Sequence, residues 1–345
     1  MKKEMPVDII RIKVKDLKPY KKTSKGWVKI KKDFKSIQDV VKLYKAESNL
    51  NLLIDNKNPQ FLKGAILGNK ELGERIVLLP NGEKLEKAFS LFSEGLTLHD
   101  QKSHDHWDVI YKNKGGTWSY VYTLQKRKEH RDNKYRKVHE FEKRYPQLLA
   151  KVTKSLSDKN DSMALPMYTL LRTYMRIGNE TYFKAHNHQG LTTLTKKNVS
   201  VKGNNVSFNF IGKDGVPITI IKRFPESYVK RLKESLKEKQ PYLFSKNGSS
   251  LHEHHFKEAF VRYCGKEFYP HIVRSHHATI KVKEFLSKRK KTTKNEVENL
   301  FMGIAHDLGH KKFNKKKGLW EEHYAVTVNS YIQPELVEKV QSRIK

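Results

Sequence analysis

The chain has 345 residues, and its 70 Lys+Arg against 37 Asp+Glu give a formal charge of +33, a self-repelling excess that points to a polyanionic partner, nucleic acid first. A hydrophobic share of 37%, with 16 Phe, 16 Tyr and 4 Trp, excludes a disordered basic tail and suffices for two domains. Cys264 stands alone, which excludes an intrachain disulfide and a Cys-rich metal site; no apolar run approaches a bilayer span, and no apolar stretch follows the charged N-terminus, so we expect a cytoplasmic protein.

In chain order, residues 7–14, 27–30 and 74–79 read as strands, the last closed by Pro80-Asn81-Gly82. Residues 37–45 and 84–92 carry helix-like spacing. Residues 107–111 and 118–123 alternate around Asn113-Lys114-Gly115-Gly116, a β-hairpin pattern. Lys126, Arg127, Lys128, His130 and Arg131 then crowd together, and we place a linker at 124–133. Residues 134–156 predict a helix, kinked or restarted at Pro146, and 163–177 a second one ending at Gly178. A β-meander follows over 199–202, 206–211 and 216–222. Helical patterns cover 226–239, 252–263, 271–288, 294–305 and 320–330, with Lys-rich loops at 288–291 and 311–317. The expected fold class is α+β: a strand-rich N-terminal domain (1–125) and a mainly α-helical C-terminal domain (126–345) holding a small three-stranded antiparallel sheet.

Four basic side chains and one tyrosine in the C-terminal half carry the chemical signal: Arg176, Lys213, Arg274, His310 and Tyr331. Taken singly, each has an ordinary reading as a helix-end arginine, a solvated turn lysine, a capping histidine or a packed tyrosine. Together they are what phosphodiester cleavage by a phenol needs. A phenol with a pKa of about 10 needs nearby positive charge to become a nucleophile. Planar guanidiniums match the nonbridging oxygens on which negative charge gathers. A lysine can protonate the departing 5′-oxygen. His271 and His277 flank Arg274 at helical spacing, so each either shares its face or packs beneath it.

The order of Arg176-Ile177-Gly178-Asn179-Glu180, Phe210-x-Gly212-Lys213, His271-x-x-Arg274, Leu308-Gly309-His310 and Ser330-Tyr331-Ile332 resembles the type IB DNA topoisomerases of the compact poxviral and bacterial kind, from about residue 118 to the end. The resemblance implies Tyr331 as nucleophile, Arg176, Arg274 and His310 as transition-state stabilisers, and Lys213 as general acid. It further implies a 3′-phosphotyrosyl intermediate, strand rotation and religation without ATP or metal, and an N-terminal domain that closes on duplex DNA. DNA contacts are expected from His271, His277, Lys126, Arg127, Lys128 and Arg131, and a monomer as the working form. The chain departs from the pattern between His310 and Tyr331, where a Lys-rich segment lengthens the spacing and brings in Tyr324 as a second candidate nucleophile.

Two other readings use the same residues. A tyrosine recombinase shares the His-x-x-Arg chemistry, but its usual N-terminal domain is all-helical. A non-catalytic DNA-binding protein would account for the charge and leave the five-residue order unexplained. Zinc ligation by His99, His104, His106, His252, His254 and His255, helped by Asp100, Asp105 or Asp108, lacks a neighbouring Cys and any i, i+4 histidine pair. We expect neither metal nor cofactor.

Overall fold

A computed structural model describes residues 5–99, 107–246 and 248–345. It divides into two compact units, 1–133 and 134–345. The first contains β1 (Ile10–Ile12), β2 (Pro19–Thr23), β3 (Gly26–Lys29), α1 (Lys35–Ala46), β4 (Ala65–Leu67), β5 (Lys70–Leu72), β6 (Ile76–Leu78), β7 (Lys84–Phe89), β8 (Glu94–Leu98), β9 (Val109–Lys112) and β10 (Trp118–Val121). They form antiparallel sheets in the orders β3-β2-β1-β4-β5 and β10-β9-β8, with β6-β7 a separate hairpin. Helix α1 buries Ile37, Val40, Val41 and Tyr44, a one-sided apolar stripe against the sheets. Arg11 is fully buried as well: it pairs with Asp55 and donates to the Leu62 carbonyl at 2.9 Å.

Residues 84–92 are not helical. Leu85 and Phe89 are both buried, and a separation of four returns to one face in a strand as well as in a helix. The turn decides between them: Gly82 at φ 87° lets Leu79 N–H reach the Glu83 carbonyl at 2.8 Å, folding β7 back on β6. The expected linker at 124–133 is helix too. It opens α2 (Leu124–Ser155), a single helix that runs on through Pro146; residues 124–133 join it because they are rich in helix-favouring Leu, Gln, Lys, Arg and Glu and hold neither Gly nor Pro.

The second unit continues from α2 with α3 (Ala164–Thr173), α4 (Glu180–His186), β11 (Val199–Lys202), β12 (Asn205–Ile211), β13 (Pro217–Arg223), α5 (Glu226–Lys237), β14 (Ser245–Lys246), β15 (Ser249–Ser250), α6 (Glu253–Cys264), α7 (Ile272–Lys288), α8 (Lys294–Asp307), β16 (Lys311–Asn314), β17 (Leu319–Glu322), α9 (Ala325–Tyr331) and α10 (Pro334–Gln341). The expected meander is the antiparallel sheet β11-β12-β13. Strand-rich first unit and helix-rich second unit make the chain α+β. One core joins α2, α3, β12, α5 and α6 through Phe141, Leu170, Phe208, Tyr228 and Phe260; another gathers α7 to α10 around Val282, Phe301, Tyr331 and Val340.

Two boundaries differ from expectation. Helix α3 stops at Thr173 rather than Ile177, because Tyr174 turns into the left-handed region at φ 57°. Residues 320–324 lie in β17 and the two-residue link to α9: cross-strand pairing of Phe313 with Trp320 outcompetes the local helical spacing of Trp320 and Tyr324.

After Tyr174 the chain runs extended, and the Leu191 N–H holds the Arg176 carbonyl at 2.8 Å. Gly190 makes this approach possible, since a Cβ there would sit 2.3 Å from the Ile177 carbonyl oxygen and 2.7 Å from that of Arg176. Gly190→Ala is therefore expected to lower stability by about 1–3 kcal/mol, seen as a lower melting midpoint. Gly303→Ala, in α8 with open space around it, is the control and should stabilise by up to about 1 kcal/mol.

Candidate active site

Arg274 is the buried centre of the second unit's polar cluster. It projects from the first turn of α7 and is 3% exposed. One Nη donates to the Tyr174 carbonyl at 2.5 Å; the other donates to the Leu308 carbonyl at 2.8 Å and to His310 Nε2 at 3.0 Å. Tyr174 and Leu308 are the C-caps of α3 and α8, so one guanidinium satisfies the negative ends of two helices. Burial pushes Arg274 down to about 10, and Tyr331 partly opposes the shift, so the group stays charged at neutral pH. Its Nε is buried without a hydrogen-bond partner among the described residues, an unspent donor at the core of the cluster.

His310 follows Gly309, whose φ of 65° turns the chain out of α8. An arginine only donates, so His310 Nε2 accepts and Nδ1 carries the proton, donating to Thr327 Oγ1 at 2.8 Å. Burial, then Arg274 and Arg176, pushes His310 down to about 3, which keeps it neutral. Tyr331 ends α9 at 3% exposure, and its Oη accepts from Arg176 Nη2 at 2.9 Å. Around its ring stand His310 at 4.8 Å, His271 at 5.2 Å, the Arg274 guanidinium at 5.2 Å and the Lys134 ammonium at 5.5 Å. Helix α2 fixes the end of α9: Lys134 donates to the Ser330 carbonyl and the Tyr135 hydroxyl to that of Ile332 at 2.6 Å.

Lys213 is exposed on the β12–β13 turn and lines a cleft of about 180 Å³ together with Arg176, Arg274 and His310. His271 caps α7 and is held well below the ordinary imidazole range, at about 3, by ring burial and then by Arg274, Arg176, Lys134 and Lys213. Because the residue as a whole is exposed, the four cations are the firmer cause. Tyr324 sits apart from the arginines, at the N-cap of α9, with its ring 6.0 Å from Phe301 and 6.3 Å from His323.

Two expected DNA contacts are buried instead. His277 packs beneath the cluster, stacked on Tyr174 at 3.7 Å and bonded to Asp307 at 2.8 Å. It braces the residue whose carbonyl holds Arg274. Lys126 forms a buried ion pair with Asp108 at 2.7 Å inside the first unit. Arg127, Lys128 and Arg131 remain exposed on α2, with Arg127 3.0 Å from Glu86 and Arg131 3.7 Å from Asp132. Sequence reasoning missed Thr327, Tyr174 and Lys134. Only Thr327 left a trace, four residues before Tyr331 and so on its helix face.

No group of His, Cys, Asp or Glu among the described residues could hold a metal; His104 and His106, with Asp100 and Asp105, lie outside those residues. No described helix is long and apolar enough to cross a membrane.

The buried histidines make an acid prediction. His310 at about 3, His276 at about 4 beside Phe141 and Tyr145, and His277 are all lowered chiefly by burial. Between about pH 6.5 and these values the unfolded chain binds protons that the folded one refuses, so stability falls as pH falls through that window. For His276 alone the loss reaches roughly 3 kcal/mol by pH 4. Urea midpoints should drop steadily from pH 7 to pH 4, and His276→Phe should flatten the slope. An unchanged slope would contradict the assignment.

A model of the eukaryotic DNA topoisomerase I catalytic core matches residues 124–333, more than half the chain. The chain belongs to that family. The match begins with α2 and ends two residues past Tyr331, so Arg176, Lys213, Arg274, His310 and Tyr331 all fall inside it. DNA topoisomerase 1B of Acanthamoeba polyphaga mimivirus is 24% identical over 206 residues, which is 53% of this chain and 61% of the relative, less than two-thirds of its length. Among solved structures, the XerH site-specific recombinase bound to difH in a pre-cleavage complex is similar at a TM-score of 0.32 and 16% identity, over 47% of this chain and 45% of that one. The post-cleavage complex on palindromic difH gives 0.31 and 17%, over 47% and 44%.

Proposed function

We propose that the chain is a type IB DNA topoisomerase that relaxes supercoiled duplex DNA, working as a cytoplasmic monomer without ATP or metal. Tyr331 Oη attacks the scissile phosphorus and releases its proton to water. Arg176, already bonded to that oxygen, holds it in place for the attack. Arg176 and Arg274 with its unspent Nε bind the nonbridging oxygens as charge gathers there, and His310 joins them by shifting its proton to Nε2, which then donates to the phosphate while Nδ1 accepts from the Thr327 hydroxyl. The P–O5′ bond breaks and the Lys213 ammonium protonates the departing oxygen, leaving a 3′-phosphotyrosyl ester and a free 5′-hydroxyl. After strand rotation the 5′-hydroxyl attacks the ester, returns its proton to Lys213 and releases Tyr331. His271 contacts the phosphate or leaving group. Residues 1–125 add a second DNA-binding surface, and Arg127, Lys128 and Arg131 bind phosphates.

The observation that carries this reading is the Arg176–Tyr331 hydrogen bond, made across 155 residues of sequence and surrounded by Arg274, His310 and His271. A strand-rich first unit also favours a topoisomerase over a recombinase. The test is relaxation of supercoiled plasmid in EDTA without nucleotide, with the denatured adduct digested and its DNA-bearing peptide mapped. A peptide carrying Tyr331 and ATP-free relaxation are expected. Strand exchange between two duplexes without relaxation would assign the chain to the recombinases, and binding without any adduct would remove the enzymatic reading.

A further inference from the structure

The detour between His310 and Tyr331 is a folded β-hairpin, β16–β17, rather than a loop. We infer that this hairpin is a DNA-backbone contact in which Lys312, Lys315 and Lys316 bind phosphates of the duplex seated at the cleft; the inference rests on the topoisomerase reading.

Its placement is the first reason. Lys311, Glu322 and His323 at the base of the hairpin line the same cleft as Arg176, Lys213 and His310. The His323 N–H bonds the His310 carbonyl at 3.2 Å, and Lys311 registers with Glu322 across the strands. DNA engaged by the cleft therefore meets the root of the hairpin.

The second reason is how its charge is distributed. Lys311 lies 3.8 Å from Glu322 and Lys317 2.8 Å from Glu321, so both are offset within the hairpin. Lys312, Lys315 and Lys316 are exposed and none forms an ion pair among the described residues, although Lys312 stands across the strands from Glu321, which is itself held by Lys317. A cluster of like charges contributes repulsion to the fold, and its natural complement is a polyanion.

The third is stiffness. The Asn314 side chain accepts from the Lys316 N–H at 3.0 Å and the Lys317 N–H at 3.2 Å, and Gly318 closes the turn at φ 67° with its N–H on the Asn314 carbonyl at 2.8 Å. Phe313 packs edge-on against Trp320 at 5.3 Å while remaining 43% exposed. Lysines on an ordered turn lose less freedom on binding than lysines on a loose loop. The exposed Phe313 ring beside them offers an apolar surface for deoxyribose.

The experiment measures affinity of the full chain for a labelled duplex over a range of KCl concentrations. Three phosphate contacts contribute about 2.7 to the log–log salt slope. The Lys312→Ala/Lys315→Ala/Lys316→Ala variant should lose about 2–3 from that slope and bind at least about tenfold more weakly at low salt, with an unchanged melting midpoint and cleavage at saturating DNA. The control is Lys230→Ala/Lys233→Ala/Lys237→Ala on α5, which removes the same charge and should keep the wild-type slope. A wild-type slope in the hairpin variant overturns the inference, as does an equal loss in the α5 variant. Failure of the topoisomerase reading shows separately, as a wild-type protein that binds the duplex and forms no adduct.

Discussion

Tyr331→Phe is expected to abolish covalent attachment to DNA while leaving duplex binding and folding nearly intact. The substitution removes one oxygen, and with it one hydrogen bond from Arg176 at 2.9 Å. The ring contacts to His310, His271 and Arg274 survive. Stability should therefore fall by about 1.5–3 kcal/mol at most, the worth of one hydrogen bond to a charged group. Neither Tyr174 nor Tyr324 stands ready to take its place. Tyr174 turns its carbonyl to Arg274 and its ring to His277, and Tyr324 packs on Phe301 and His323. Tyr324→Phe should accordingly keep full adduct formation, and it tests the longer His310–Tyr331 spacing directly. Adducts that persist in Tyr331→Phe and vanish in Tyr324→Phe would transfer the nucleophile to Tyr324 and undo the site as assembled here.

The reacting groups were legible before the fold because the chemistry limits them to few residue types, met in a recognisable order. Their supports were much less so. Arg274 is held by the carbonyls of Tyr174 and Leu308, and a carbonyl is present whatever the side chain, so nothing in the sequence marks those positions. His277 shows the converse: helical spacing put it near Arg274, but which of two neighbouring faces it takes depends on Tyr174 and Asp307, which are distant in sequence. Helices with a single apolar stripe, such as α1, α7 and α8, were predicted within a few residues. Failures fell where long-range pairing decides. Leu85 and Phe89 suit either period, and only the fold-back onto β6 makes the segment a strand. Trp320 joins a hairpin because Phe313, Lys311 and Lys312 stand opposite it and its neighbours. The basic stretch of α2 divides for the same reason: Asp108, just before β9, draws Lys126 inside and leaves Arg127 and Lys128 exposed.

Arg274→Ala is expected to slow single-turnover cleavage by on the order of 10²–10³-fold, the cost of losing one donor aimed at developing charge. It should also destabilise the second unit, because the Tyr174 and Leu308 carbonyls would lose their partner and each unsatisfied buried acceptor costs about 1–3 kcal/mol. A merely structural arginine would produce the second effect without the first, so alanine alone does not separate the roles. Arg274→Lys does. An ammonium keeps the charge but cannot reach two carbonyls and His310 Nε2 while presenting a planar edge to phosphate. The unpartnered Nε is what distinguishes the guanidinium here: two helix ends and His310 use its Nη atoms, leaving that donor for the substrate. Arg274→Lys should therefore recover part of the lost melting temperature while cleavage at saturating DNA stays at least about tenfold below wild type. If the lysine variant instead cleaves at the wild-type rate, any buried cation suffices at this position, and phosphate recognition by the Arg274 fork is refuted.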